Sequence, residues 1–117
     1  MTEIAIDELA RRLHDVTVLD VRSRHEYDGS AGKPCDPRQG HIAGARHLDI
    51  YRLMELTTDE VRAELALDEG AEVVAYCHSG SRSAIATQVL RSLGYDARNY
   101  VGSWHEWSRH DDLPTEA

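Results

Sequence analysis

Apolar and polar positions along the chain alternate in blocks that predict strands separated by helices. Short, mainly apolar runs predict strands at residues 16–21 (VTVLDV), 44–50 (GARHLDI), 72–77 (EVVAYC) and 97–101 (ARNYV). The run at 72–77 is the strongest of these. The segment 29–40 (GSAGKPCDPRQG) is rich in glycine and proline and predicts a loop with no element of its own.

Helical spacing of apolar residues predicts helices in the segments between these strands. Leu9 and Leu13 lie four residues apart after Asp7, which predicts a short capped helix. Further helices are predicted at 58–70, 83–93 and 103–110.

Hydroxyl and glycine residues predict where these helices begin and end. Thr58 is the predicted N-cap of the second helix and Gly70 its C-cap, while Gly94 closes the third. Trp104 and Trp107 in the last helix are predicted to pack against the sheet rather than to bind a ligand.

The order of these elements predicts the fold class. Strands that alternate with helices are typical of right-handed crossovers and a mainly parallel sheet with helices on both faces. We therefore predict a single α/β domain over residues 1–117, folded as a three-layer sandwich.

Composition and charge narrow the possible functions. Hydrophobic residues make up 41% and charged residues 29%, as in ordinary globular proteins, and the net charge of −8 argues against a nucleic-acid-binding protein. No apolar stretch approaches the roughly 20 residues that span a bilayer, and the N-terminal sequence does not resemble a signal peptide. We expect a cytoplasmic protein with no membrane or nucleic-acid partner.

The cysteines and histidines predict neither a disulfide framework nor a metal site. Cys35 and Cys77 are the two cysteines, and no CxxC or HxxxH spacing occurs among them and the seven histidines. We expect no metal site.

The segment YCHSGSRSA (76–84) predicts a reactive thiolate at Cys77. Ligands of open α/β sheets bind where strands end and helices begin, and we predict a loop from Cys77 to Arg82 with the helix starting at Ser83. Gly80, the helix N-terminus and the charge of Arg82 all favour the thiolate, so the pKa of Cys77 should lie below about 8.5. Such a thiolate is a nucleophile for electrophilic sulfur, phosphorus or arsenic.

Two other interpretations compete for this loop. A buried structural cysteine is the commonest kind, but a polar loop with glycine, serines and arginine does not belong to a core position. A tyrosine phosphatase or arsenate reductase would need one residue more than the HSGS that separates Cys77 from Arg82. The shorter cradle suits a single sulfur on the cysteine better than a phosphate.

Four segments in order resemble the rhodanese family of sulfurtransferases, and the resemblance covers nearly the whole chain, from about Ile4 to Trp107. They are LDVRSRHEY (19–27), GHIAGARHL (40–48), CHSGSRS (77–83) and GSWHEW (102–107). The resemblance implies a five-stranded, mainly parallel sheet. It also implies a sulfane-sulfur transfer in which Cys77 carries a persulfide between donor and acceptor. No metal or organic cofactor is expected, because sulfur itself is the group carried.

The resemblance further implies a set of site residues around Cys77. Donor and persulfide would be bound by the residues of the loop and helix start, His78, Ser79, Gly80, Ser81, Arg82 and Ser83. Asp20, Arg22 and His41 would support the site structurally, Asp20 pairing with Arg22 or with the Gly-His-Ile segment and His41 bonding to a loop. His78 is expected to point outward. Cys35 could receive sulfur from Cys77, form a regulatory disulfide or have no role, and the last is favoured.

The resemblance leaves the substrates and partners open. Thiosulfate or a persulfide would be the donor, cyanide or a thiol the acceptor, with a protein thiol as an alternative, in a monomer or homodimer. Ser79 and Glu26 stand where thiosulfate sulfurtransferases usually carry basic residues, so the use of thiosulfate stays open. The alternative function is a weakly active rhodanese module that docks partner proteins or acts in regulation.

Overall fold

A computed structural model describes residues 2–117, which form six helices and six strands. In chain order these are α1 Ile6–Arg11, β1 Thr17–Asp20, α2 Arg24–Tyr27, β2 His41–Ile42, β3 Arg46–His47, α3 Ile50–Glu55, α4 Thr58–Leu65, β4 Glu72–Tyr76, α5 Ser81–Ser92, β5 Asp96–Asn99, α6 Ser103–Trp107 and β6 Thr115–Glu116. No helix in this part of the chain is long and apolar enough to cross a membrane.

The central sheet is parallel and has the strand order β3-β1-β4-β5. The predicted α/β class with a parallel sheet is therefore confirmed, with four strands in the sheet rather than five. The segment that would form a fifth strand makes only one bridge to the sheet. Glu3 pairs in parallel with Asn99, and the chain then enters α1 at Ile6. The short strands β2 and β6 pair antiparallel in a separate sheet.

Residues of β4 alternate between two cores, one on each face of the sheet. Val73, Ala75 and Cys77 belong to one apolar cluster, while Val74 and Tyr76 belong to the other. The first cluster includes residues of α3, α4 and α5, and the second includes residues of α1 and α6. Period-two burial on both faces is what a central parallel strand requires, and it produces the three layers.

The two tryptophans of α6 pack in the second core, as predicted. Trp104 and Trp107 are both fully buried there, and the indole of Trp104 donates to the carbonyl of Arg38. Because α6 is anchored by these side chains, its first residues are held beside the end of β4. The backbone N–H of Trp104 donates to the carbonyl of Cys77 at 2.9 Å.

The boundaries predicted for the helix at 58–70 are wrong at both ends. The N-cap is Thr57, not Thr58, because the Thr57 hydroxyl accepts from the N–H of Glu60 in a capping box. The helix ends at Leu65, with Ala66 in the left-handed conformation (φ 52°). Gly70 instead forms the turn before β4, where its N–H donates to the carbonyl of Gly94.

Several short elements differ from the prediction. The helix expected from Ser83 begins at Ser81, and the strand expected at 44–50 is reduced to β3 because α3 begins at Ile50. Helices α2 and α3 and the β2–β6 pair were not predicted. Each of these elements is too short to show a period in the sequence, and tertiary contacts stabilise it.

Candidate active site

Cys77 lies at the carboxyl end of β4, directly before the N-terminus of α5. Its side chain is buried, with 1% of its surface exposed. The connecting turn needs glycine at Gly80, which has φ +98° and whose added Cβ would lie 2.8 Å from the carbonyl oxygen of Val101. The loop is shorter than predicted, because Gly80 is already the N-cap of α5.

Hydrogen bonds converge on the sulfur of Cys77. The N–H of Gly80 donates to Sγ at 3.1 Å, and the hydroxyl of Ser83 lies 3.3 Å from it. Burial, the largest single influence, raises the pKa of Cys77. Hydrogen bonds from the Ser83 hydroxyl and from the backbone N–H groups of Ser83, Gly80 and Ser79 outweigh it, so the pKa of Cys77 lies below its usual value.

The backbone around the thiol is held by two side chains that the sequence did not single out. The N–H of Cys77 donates to the hydroxyl of Ser103 at 3.1 Å, and Ser103 has a left-handed backbone (φ 55°). The side-chain amide of Asn99 donates to the carbonyl of Gly80 at 3.2 Å. Strained backbone of this kind occurs at functional sites, where surrounding contacts hold it in place. In the sequence, Ser103 is marked only by a preceding glycine and a following tryptophan, and this pattern is too weak to identify it as a residue of the site.

The guanidinium of Arg82 is already bound to a carboxylate of the protein itself. Its guanidinium donates to both carboxylate oxygens of Glu26, at 2.9 and 3.3 Å. Burial would raise the pKa of Glu26, but the hydrogen bonds and charge of Arg82 lower it to about 2. The predicted contribution of Arg82 to anion binding is therefore offset by a carboxylate from α2.

His78 contacts the loop at 29–40 instead of pointing outward. Its Nε2 lies 2.9 Å from Oδ2 of Asp36, a carboxylate whose side chain is 1% exposed. The ring of His78 also meets the ring of His105 edge-on. The expected orientation was wrong because Asp36, which lies 42 positions away in the sequence, needs partners for its buried charge.

Asp36 joins the active-site loop to the C-terminal part of the chain. Besides His78 it binds Arg109 Nη1 at 2.9 Å, and Nδ1 of His105 lies 3.8 Å from the carboxylate. Asp36, His78 and His105 offer ligand atoms within 4.8 Å of one another, a cluster that spacing in the sequence could not indicate. Because the Arg109 guanidinium is already bound to the Asp36 carboxylate, these side chains form an ion-pair network.

Asp20 and Arg22 pair with each other, and Arg22 also binds the Gly-His-Ile segment, so both of the predicted alternatives occur. Their side chains are fully buried and 2.7 Å apart, and Arg22 also donates to the carbonyl of Gly40. The hydroxyl of Tyr76 donates to Asp20 at 2.7 Å and accepts from the N–H of Ile42. This network ties the ends of β1 and β4 to the loop before β2.

His41 and Cys35 occupy contrasting positions. His41 is buried, stacks on Tyr27 with ring centroids 3.7 Å apart and has Nδ1 2.7 Å from the carbonyl of Tyr27, so its buried hydrogen bond goes to the last residue of α2 and not to a loop as predicted. Cys35 is exposed and its thiol is free, while its carbonyl accepts from Arg109. Of the predicted site residues, the loop 77–83 and the Asp20–Arg22 pair are linked through Tyr76 at the end of β4, whereas His41 contacts Tyr27. Cys35, for which no role was favoured, lies on the surface.

Comparison with known proteins identifies the family. The sequence pattern of the rhodanese-like domain matches residues 5–110. The thiosulfate sulfurtransferase of Pseudomonas aeruginosa is 33% identical over 111 residues, which cover 87% of this chain and 40% of that protein. A putative thiosulfate sulfurtransferase of Haloferax volcanii is 36% identical over 115 residues, covering 85% of this chain and 40% of the relative.

Solved structures agree with this assignment. The crystal structure of a probable thiosulfate sulfurtransferase is 44% identical, with a TM-score of 0.85, over 98% of this chain and 47% of that one. A structure of an EanB variant in complex with ergothioneine has a TM-score of 0.87 over 98% of this chain and 28% of that one. At 24% identity it shows the shared fold alone.

The chain belongs to the rhodanese-like domain family and is related to thiosulfate sulfurtransferases. It spans about two fifths of the length of the curated relatives that it matches.

Proposed function

We propose that this rhodanese-like domain is a sulfurtransferase that carries sulfane sulfur as a persulfide on Cys77. The observation that supports this most directly is the set of donors around a buried sulfur, the Gly80 N–H at 3.1 Å and the Ser83 hydroxyl at 3.3 Å. Donors held in place before the reaction stabilise an anionic sulfur without reorganisation during it. The loop 77–83 then binds the sulfur, and Asp20, Arg22 and His41 position the loop.

In the first half-reaction the Cys77 thiolate attacks the outer sulfur of the donor. An S–S bond forms between Sγ and that sulfur, and the bond between the sulfur and the rest of the donor breaks. The departing group keeps the electron pair, as sulfite from thiosulfate or a thiolate from a persulfide. Cys77 is left as a persulfide anion.

In the second half-reaction a thiophilic acceptor attacks the terminal sulfur of the persulfide. The acceptor is cyanide or a thiol, and a protein thiol is an alternative. The S–S bond breaks with its electron pair on Sγ, which regenerates the thiolate that the loop stabilises. No metal or organic cofactor takes part, because the sulfur atom itself is the group transferred.

Intact-protein mass spectrometry tests the proposal. Wild type and Cys77→Ser are incubated separately with thiosulfate and with a low-molecular-weight persulfide, then with cyanide. We expect wild type to gain the mass of one sulfur atom from at least one donor and to lose it to cyanide, whereas the variant gains none. The exposed thiol of Cys35 provides the matched control, since Cys35→Ser should still load.

Two results would contradict the proposal. If wild type gains no sulfur from either donor, the domain is better explained as a docking module of the same fold. If Cys77→Ser loads as wild type does, the sulfur is carried elsewhere, and loss of loading in Cys35→Ser would place it on that residue.

A further inference from the structure

The ion pair between Glu26 and Arg82 lies at the start of the helix that holds the thiol. Arg82 is the second residue of α5, and its side chain is 31% exposed, against 17% for Glu26. Both oxygens of the carboxylate accept from the guanidinium. The charge of the Cys77 thiolate is among the influences that raise the pKa of Arg82, after the Glu26 hydrogen bond and the opposing effect of burial. Arg82 lies five positions after Cys77, in the first turn of the helix whose N-terminus holds the thiol.

The residues that line the depression beside this pair carry one net positive charge. Glu26, Gly32, Lys33 and Arg82 line a depression of about 470 Å³. Its two cations and one carboxylate leave a single positive charge, because Glu26 is ionised at neutral pH. Ser79, in the loop itself, adds no charge.

Binding of an anion to Arg82 requires the guanidinium to move away from Glu26, which costs free energy. Drawing the guanidinium away would leave a half-buried carboxylate without its partner, which is unfavourable. The loss is larger than for a surface pair, because partly buried charges are screened less by solvent and salt. A donor with two negative charges is also repelled by the Glu26 carboxylate, because the repulsion grows with the charge of the donor.

We propose that Glu26 is a specificity-determining residue, which makes this site select sulfur donors with one negative charge over dianionic thiosulfate. The inference rests on the proposed sulfur transfer through Cys77. Glu26 acts through Arg82, so it is a positioning residue and takes no part in the bond changes.

Two donors of matched chemistry test this inference. Thiosulfate and methanethiosulfonate both present a terminal sulfur bonded to a sulfonyl group, and they differ by one oxygen anion replaced with a methyl group. Attack by Cys77 releases sulfite from the first and methanesulfinate from the second. In both cases the S–S bond forms to Sγ and the leaving group keeps the electron pair.

The test variant is Glu26→Gln, which removes the charge and keeps the local structure. Glu26 also closes the capping box of α2 with Ser23, and glutamine serves in that position as well as glutamate. Glu60→Gln is the matched control, because Glu60 has the same place in the capping box of α4 and is exposed. The two substitutions change the net charge equally.

We expect the ratio of kcat/KM for thiosulfate to kcat/KM for methanethiosulfonate to rise roughly tenfold in Glu26→Gln. In Glu60→Gln the ratio should stay within about twofold of wild type, since the Glu60 carboxylate is exposed, caps α4 and is screened by solvent. The rise should shrink at about 1 M salt, where the Debye length is short. A purely structural role for Glu26 would lower both values of kcat/KM without changing their ratio.

The outcomes separate this inference from the proposed function. If neither donor adds a sulfur atom to wild type, both fail. If both donors add sulfur and the ratio does not change in Glu26→Gln, this inference is wrong and the proposed function stands. Should Glu26→Gln not fold, Lys33→Ser provides a second variant on an exposed loop. There kcat/KM for methanethiosulfonate should fall several-fold, and an unchanged value would overturn the inference.

Discussion

Helices α4 and α5 begin in opposite ways. At α4 the Thr57 hydroxyl accepts from the N–H of Glu60, and the Glu60 carboxylate accepts from the N–H of Thr57. At α5 the N-cap is Gly80, which has no side chain to close the helix end, and its N–H donates to the sulfur of Cys77. The first end binds only itself, while the second binds the reactive atom.

This difference shows how a helix end becomes a functional site. The first N–H groups of any helix lack partners within the helix. A capping box supplies acceptors for them, so they are no longer available to bind a ligand. Without a capping side chain, the same groups stabilise negative charge. The predictions below test this contrast between the two helix ends, and the largest expected effect comes first.

Cys77→Ser removes the sulfur that accepts a hydrogen bond from the N-terminal end of α5. We expect the rate of sulfur transfer to cyanide to fall by about 10³-fold or more, because a hydroxyl in that position is not ionised at neutral pH. A cyanide-coupled assay for thiocyanate measures this rate. Cys35→Ser is the control, and an equal loss in that variant would mean that the exposed thiol takes part.

Gly80→Ala alters the turn that opens the end of α5. Gly80 has a positive φ and no room for a Cβ, whereas Gly70 has a similar φ (+83°) and nothing within 4 Å of an added Cβ. We expect Gly80→Ala to lower the free energy of unfolding by about 2–3 kcal/mol and Gly70→Ala by about 1 kcal/mol, the cost of positive φ alone. Urea unfolding measures both, and equal losses would contradict the close approach to Val101.

Glu26→Gln compares the capping box of α2 with that of α4. The pKa of Glu26 is depressed to about 2, so its charged form contributes stability that is present above its unfolded pKa of about 4.5 and is lost as the pH falls towards 2. At pH 7 we expect Glu26→Gln to lower the free energy of unfolding by about 2 kcal/mol, and this difference should disappear near pH 2. Urea unfolding across this pH range measures it.

Glu60→Gln is the control for this pH dependence. The pKa of Glu60 is lowered by its hydrogen bonds to Thr57, with no arginine bound to the carboxylate. Its loss of stability at pH 7 should be clearly smaller than that of Glu26→Gln. Equal losses would show that the Arg82 pair adds nothing to the cap.

Ser83→Ala removes a donor to the sulfur, and Thr57→Ala removes the cap of α4. The Ser83 hydroxyl lowers the pKa of Cys77, so its loss should move the midpoint of thiol alkylation by iodoacetamide to higher pH. Each substitution should lower the free energy of unfolding by about 1 kcal/mol. Thr57→Ala should leave the alkylation midpoint unchanged, and an equal shift in both variants would contradict a specific bond to the sulfur.

Local patterns predicted the parts of this molecule that depend on neighbouring residues. The apolar run at 72–77 and the helical spacing after Ser83 identified β4 and α5, and Gly80 identified the turn between them. Their joint consequence, a cysteine at the carboxyl end of a central strand, follows from the handedness of crossovers in parallel sheets. The Asp20–Arg22 pair was predictable because its members are only two positions apart in the sequence.

Contacts between distant segments were decided by the tertiary structure alone. Glu26 and Arg82 are 56 positions apart, and Asp36 and Arg109 are 73 apart. Periodicity shows which face of an element is buried, but it does not show which side chains of two loops meet. That depends on how each crossover brings its loop back to the sheet and on which buried charge needs a partner.

By itself, then, the sequence determined the α/β class, the place of Cys77 and the donors that follow it in the chain. These depend on backbone geometry and on interactions between residues close in sequence, which every chain with this pattern shares. Only the tertiary structure decided that Glu26 binds Arg82, that Asp36 binds His78 and that Ser103 holds the backbone of Cys77. The physical reason is that a polar or charged side chain removed from water pairs with whichever group the packed fold places within reach.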